Sequence, residues 1–315
     1  MMKEVGIIGG LVGVQCVYGV MTMLLNQLMS LQFDPLTIVV FCTFAAFLIL
    51  TPLSLLLERK LWPRSLSLKL VTKLVLLAVT GVTLFQSMYL EGMKHTSASM
   101  ATAMPNLCPA FIFIIAWCFG MEKVKLSCVY SRVKIGGTVL CVMGAFVMSL
   151  MHSTSSSSSS SSPTFDKDKV FGCILLLVGV LVLSSNLVLQ ASILREFPAP
   201  MSLFSVVSFI GTISTAAVVL IQHGNLNIGG SATGLGTLIG CALLGGIVSG
   251  GSLSFNGWVI KKKGPVLVSM FSPIATVVCV LVSSLCLGEP FSVGSFVGMG
   301  LMFGGLYFVL WAKGP

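Results

Sequence analysis

Charge is what this chain has least of. Only 9% of its 315 residues are charged, against roughly a quarter in an average soluble domain. Acids are scarcer than bases: 9 Asp and Glu stand beside 18 Lys and Arg, with 3 histidines. No stretch longer than about 20 residues is polar enough to build a soluble α/β domain, which excludes that class. Alternating ten-residue strands are missing too. Apolar runs such as Leu48 to Leu57 and Ile174 to Leu183 exclude a membrane β-barrel. Convergent catalytic groups are absent: His95, His152 and His223 all fall at the ends of apolar runs, and no nucleotide-binding loop, zinc motif or nucleophile elbow occurs. The sequence therefore gives no sign of an enzyme. Of the ten cysteines, Cys16, Cys42, Cys108, Cys141, Cys173, Cys241, Cys279 and Cys286 lie in apolar runs without metal-ligand spacing. They read as small apolar filler, with neither metal nor cofactor implied.

What the chain has instead is apolar length. Hydrophobic residues make up 56% of it, and a hydrocarbon core about 30 Å thick is crossed by about 20 such residues in a helix. Charge, Pro and Gly punctuate ten runs, near 5–27, 35–57, 70–90, 97–119, 133–151, 170–194, 200–222, 237–260, 265–287 and 291–312. The first is too long for a signal-peptide apolar segment and lacks a small-residue cleavage site, so it is expected to remain as a helix. Of the 18 basic residues, 15 fall in one alternating set of connections, and only Lys94, Lys167 and Lys169 in the other. Basic residues near span ends mark the cytoplasmic side. Both termini are therefore expected in the cytoplasm, and the net charge of +9 reports topology and attraction to anionic lipid rather than nucleic acid.

Eight consecutive serines, Ser155 to Ser162, followed by Pro163 and a charged cluster, cannot bury enough surface to fold. They divide the chain into a first five-span block at 1–151, a linker at 152–169 outside the cytoplasm, and a second five-span block at 170–315. The blocks are alike. Tyr89 precedes Lys94 by five, and Trp258 precedes Lys263 by five. Each Lys leads into a Pro-containing span, with Met104-Pro-Asn-Leu-Cys-Pro109 in one and Met270-Phe-Ser-Pro273 in the other. The last spans carry Gly137 and Gly144 against Gly298 and Gly305. Repeats of an odd number of spans must lie in opposite orientations. The expected fold is an all-α membrane protein of ten transmembrane helices in two inverted five-helix repeats, a pattern that points to a secondary transporter with its site near the midplane.

Longer stretches carry a family resemblance. Gly92-Met-Lys-His-Thr-Ser-Ala-Ser99, Leu189-Gln-Ala-Ser-Ile-Leu-Arg-Glu-Phe-Pro-Ala-Pro-Met-Ser-Leu203, Lys261-Lys-Lys-Gly-Pro-Val266, Met270-Phe-Ser-Pro273, Leu287-Gly-Glu289 and Gly305-Leu-Tyr-Phe-Val-Leu-Trp311 are similar to the plant nodulin-21-like, Walls Are Thin-related (UMAMIT) transporters. These have paired EamA domains and belong to the drug/metabolite transporter superfamily. The resemblance spans essentially the whole chain. It implies a ten-helix carrier moving amino acids, auxin or related small organic solutes across the plasma membrane, with the tonoplast as the alternative. Two departures stand out. Phe41-Cys42 replaces a frequent aromatic-Arg pair, and Phe85-Gln-Ser87 replaces Asp-Gln-Asn, so polarity is reduced at both places.

Charge at mid-membrane costs roughly 2.5 to 3.5 kcal/mol on insertion scales, and none falls clearly at mid-span here. A pathway would be lined by neutral polar and aromatic groups. The candidates for substrate binding are Gln15, Gln86, Tyr89, Asn106, Asn186, Asn256 and Trp258. For each amide, glue between helices competes with solute contact; for Tyr89 and Trp258 the competing role is the interfacial aromatic belt. Pro105, Pro109 and Pro273 interrupt helices and free carbonyls near such a site. Glu91 and His95 form a candidate proton group at the outer mouth, against the plainer reading of a solvated loop end. The reading is thus a carrier that alternates access to a neutral site, with a small solute and the bilayer as partners and room for a homo-oligomer. A channel-like or receptor protein, or a carrier for another metabolite, is the alternative.

Overall fold

The computed structural model describes residues 2–30, 35–62, 67–95, 104–119, 132–133, 135–140, 143–144, 147, 167–223, 232–272, 274–275, 277–278, 281–282, 297–298, 300–301, 303–305, 307–308 and 311. Among them all regular structure is helical: α1 (Met2–Ser30), α2 (Pro35–Leu57), a 3-10 turn at Arg59–Leu61, α3 (Leu68–Ala78), a π-helical segment at Val79–Leu84, α4 (Phe85–His95), a second 3-10 turn at Met104–Leu107, α5 (Cys108–Cys118), α6 (Lys167–Glu196), α7 (Pro200–His223), α8 (Ala232–Lys263) and α9 (Pro265–Met270). Hydrocarbon offers no hydrogen bonds, so a spanning segment must pair its own backbone. By length and composition, five stretches among the described residues can cross a membrane: Leu36–Leu57, Leu68–Gly92, Val170–Glu196, Pro200–Gln222 and Ile239–Lys263. Val5–Met21 and Cys108–Cys118 are shorter apolar helices. The protein is a helical, multi-pass membrane protein. The runs expected at 97–119, 133–151, 265–287 and 291–312 lie only partly within the described residues, and the serine run lies outside them.

Proline and glycine set the helix ends. Pro35, Pro200 and Pro265 each open a helix, where a missing N–H costs nothing. Gly264 closes α8 at φ 90, with its N–H on the Ile260 carbonyl at 2.9 Å. A left-handed residue in this place suits glycine because it has no Cβ.

Two compact units result. The first joins Met1–Ser87 to Asn186–Pro265, and the second joins Met88–Ser185 to Val266–Pro315. Each therefore draws on both sequence blocks, so packing and repeat divide the chain differently. In the first unit α2 lies against α7 and α8, α7 also carries α3 and the π segment, and α1 rests on α8. Small residues let these helices close up. A Cβ on Gly246 would stand 2.7 Å from Ala45 Cβ and 2.8 Å from the Ala46 backbone nitrogen. In the second unit Gly92 of α4 gives room to Leu176 of α6, and the Cys108 thiol meets the Ser184 hydroxyl, which bonds the Val180 carbonyl at 2.7 Å.

The Gly246 contact is with backbone, which cannot swing aside. Gly246→Ala is expected to cost about 1 to 3 kcal/mol by overpacking, whereas Gly251→Ala, with nothing within 4 Å of the added carbon, should be near neutral. Thermal melts of the two variants in detergent check the contrast.

Candidate functional site: a neutral polar lining in the first unit

The polar groups of the first unit fall into two sets, one fully engaged and one not. The engaged set follows α7. Ser202, Ser205, Ser208 and Thr215 are buried and, with Thr212, recur at helical spacing along one face. Ser205 Oγ lies 2.8 Å from Thr51 Oγ1. Thr51 gives its one hydrogen to the Phe47 carbonyl at 2.7 Å, so the serine must donate. Thr212 donates to Thr43 at 3.0 Å, and Thr43 passes a hydrogen to the Val39 carbonyl at 2.8 Å. Thr83 of the π segment meets Ser214 at 2.6 Å and Thr215 at 3.0 Å. Hydroxyls thus fasten α7 to α2 and to the π segment, with their remaining valence returned to backbone carbonyls.

At the start of α7 the fastening carries charge. Glu58, only 7% exposed, accepts the Met201 N–H at 3.1 Å, the Ser202 N–H at 2.7 Å and the Ser202 hydroxyl at 2.9 Å. Trp62 Nε1 completes the set by donating to Ser202 Oγ at 2.8 Å. A carboxylate at a helix N-terminus pairs exposed N–H groups and meets the positive end of the dipole. The segment leading into α7 has two further ties. Lys73 forms an ion pair with Glu196, and Lys261 Nζ donates to the Pro198 carbonyl at 3.1 Å.

Asn186 belongs with this engaged set. Its Nδ2 donates to the Leu77 carbonyl and to Thr80 Oγ1, both at 2.9 Å, where the π segment widens the helix and redirects its backbone groups. Gly81 is what admits it: a Cβ there would lie 2.7 Å from the amide. Of the two roles open to Asn186, glue between helices is the one with visible contacts. Trp258 is half-exposed with Lys262 Nζ 3.9 Å above its ring, the setting of an interfacial aromatic.

The other set has no such partners. Gln15 is 5% and Asn256 9% exposed, and Asn256 Oδ1 is enclosed without a hydrogen bond. Ser87 Oγ and Ser254 Oγ share that condition. Gln15 lies buried on α1 and Gln86 part-buried on α4. A polar group held from water without a partner costs roughly 1 to 3 kcal/mol, so several within one unit call for an explanation other than packing.

The remaining candidates lie in the second unit. Tyr89 is part-buried on α4, Pro105 sits in the 3-10 turn, and Pro109 is buried at the second position of α5. Asn106 is in the same turn, but its side chain lies outside the described residues, as does Pro273 entirely. Glu91 and His95 stand one turn apart with Nε2 3.5 Å from Oε1, and the imidazole meets Phe171 edge-on at 5.6 Å. Both remain substantially exposed. Among the described residues no group of three His, Cys, Asp or Glu could hold a metal ion. Sequence reading missed Glu58, Trp62, Thr80 and Thr83. The stripe on α7 was detectable in the spacing of Ser202, Ser205, Ser208, Thr212 and Thr215, whereas Glu58 was hidden by its place beside Arg59 and Lys60 at the end of an apolar run.

Apolar helices of this length define a multi-pass membrane protein, and comparison with known proteins gives its family. The chain belongs to the EamA-like transporter family, whose model matches residues 5–150 and 170–311, and it is accordingly a membrane transporter. It is similar to the plant WAT1-related proteins. The Arabidopsis thaliana WAT1-related protein At4g16620 is 65% identical over 99% of this chain and 89% of its own length. The WAT1-related protein At5g47470 from the same plant is 56% identical over 100% and 88%. A protein known from its crystal structure superposes with a TM-score of 0.73 over 97% of this chain and 98% of its own, at 11% identity, a likeness of fold alone.

Two variants test the engaged set. Glu58→Ala strands donors at the start of α7 and is expected to cost about 1 to 3 kcal/mol, with Glu58→Gln, which keeps an acceptor, milder. Asn186→Leu should lower stability by about 1 kcal/mol. Thermal unfolding of the purified protein reads both.

Proposed function

We propose that this chain is an alternating-access carrier of ten helices in two inverted repeats, moving a small neutral, zwitterionic or weakly acidic organic solute such as an amino acid or auxin-like compound. The observation that carries the reading is the set of enclosed polar atoms without a hydrogen bond in the first unit, Ser87 Oγ, Ser254 Oγ and Asn256 Oδ1, with the buried Gln15 amide on a neighbouring helix. Polar groups this costly to leave unsatisfied suit a lining that a solute completes in passing. Charge supports the same reading. Residues 5–30 and 232–260, the parts of α1 and α8 away from the basic end, contain no Asp, Glu, Lys, Arg or His, so a strongly charged cargo would find no counter-charge on these helices.

Two further features fit. Alternating access needs two bodies, and the chain forms two compact units, each assembled from pieces of both sequence blocks. The basic residues Arg59, Lys60, Arg195 and Lys261 to Lys263 lie at or near the ends of α2, α6 and α8, where the charge rule puts the cytoplasm and hence both termini. The plasma membrane is the proposed location, with the tonoplast second. The description of the matched family speaks of transport.

Uptake of labelled amino acids and indole-3-acetate by proteoliposomes tests the reading. At least one solute is expected to accumulate in excess of protein-free vesicles, with uptake reduced on the order of tenfold by Gln86→Ala or Asn106→Ala. Full transport by both variants would remove Gln86 and Asn106 from the pathway, and no uptake of any solute would refute the substrate class.

A further inference from the structure

Two of the buried amides, Gln15 and Asn256, lie on helices that pack against each other, α1 and α8. α1 and α8 run antiparallel: Gly10 meets Phe255, the Tyr18 hydroxyl bonds Ser252, and Met21 comes up to Gly245. Gln15 lies three residues before Tyr18 and Asn256 four after Ser252, so each shares a helix face with one end of that cross-helix bond. The register then brings the two residues to the same stretch of the interface, within about two turns of each other along it. The Tyr18–Ser252 bond and the Phe255 ring packed on Gly10 hold the two helices together along this stretch.

A carboxamide offers N–H donors and a carbonyl acceptor in one plane. Two of them, both buried and with the Asn256 oxygen left without a partner, match a third group of the same kind, which can give and accept at once. A carboxylate of the same shape only accepts, and it brings a charge for which neither helix has a counter-charge in this region.

Resting on the carrier reading above, we propose that Gln15 and Asn256 form a carboxamide-recognition subsite that binds an amide group of the solute and discriminates against the isosteric carboxylate. Asn256 Oδ1 takes an N–H of the solute, and the Gln15 amide engages the solute's carbonyl. The pair determines which cargo passes and takes no part in holding the helices together.

The test uses the full-length protein in proteoliposomes with two matched pairs, glutamine against glutamate and indole-3-acetamide against indole-3-acetate. In at least one pair the amide is expected to enter on the order of tenfold faster than the acid, as for a site built to hydrogen-bond its substrate. Asn256→Asp and Gln15→Glu, which keep side-chain shape, should bring that ratio towards one, and Asn256→Leu should do so with lower overall uptake. Thermal melts in detergent show that each variant is folded, and amide-dependent stabilisation of the wild-type protein should vanish in Asn256→Asp. Equal or faster entry of the acids would overturn the subsite while leaving the carrier intact. So would an amide preference that survives both shape-preserving variants. Absence of uptake for every solute, with no stabilisation by either amide, would defeat the carrier reading and the subsite with it.

Discussion

Everything in this molecule answers to one constraint: a polar group inside hydrocarbon must find its partner within the protein. Helix α7 shows how the constraint is met. Its hydroxyls at Ser205, Thr212, Ser214 and Thr215 reach Thr51, Thr43 and Thr83 on neighbouring elements, and its first N–H groups end on the buried Glu58 carboxylate. Individual bonds of this kind are modest in a membrane, about 0.6 kcal/mol on average. Their value lies in specifying one arrangement of smooth apolar helices that could otherwise slide past each other. The π segment belongs to the same scheme, since it loosens backbone pairing where Asn186 and Thr83 arrive with side-chain partners.

Against that background the exceptions gain meaning. Gln15 and Asn256 are buried much as the α7 hydroxyls are, yet Asn256 Oδ1 has no hydrogen bond. A protein that satisfies Thr83 twice over does not lack the means to satisfy an asparagine. Incomplete pairing occurs on α4, at Ser87, and on α8, at Ser254 and Asn256, and under the proposed carrier role a solute completes the pairing and then leaves. The surrounding helices are held by groups that do not depend on it.

Much of this was legible in the sequence, for identifiable reasons. Helix α2 falls at 35–57 as the apolar run and its opening proline require, and α8 ends at Gly264 ahead of Pro265 where the punctuation indicates. Gln15 and Asn256 could be named because an amide within an apolar run is conspicuous. Their mutual placement could not, since it depends on helix register between residues more than 200 apart in sequence. Asn186 was equally visible as a polar residue, but its role is settled by Gly81 and the π segment, neither of which has an unambiguous sequence mark. Glu58 carries no mark in the sequence because its burial comes from the return of the chain at Met201 and Ser202. The interleaving of the two blocks within each compact unit is likewise a property of long-range packing that local periodicity does not carry.

A carrier and a channel would share such a lining, and exchange kinetics separate them. Proteoliposomes preloaded with unlabelled solute and diluted into a trace of the labelled form should show a transient overshoot of label, because an alternating site returns faster when occupied. Label entering at one rate, whatever the internal solute, would contradict the account.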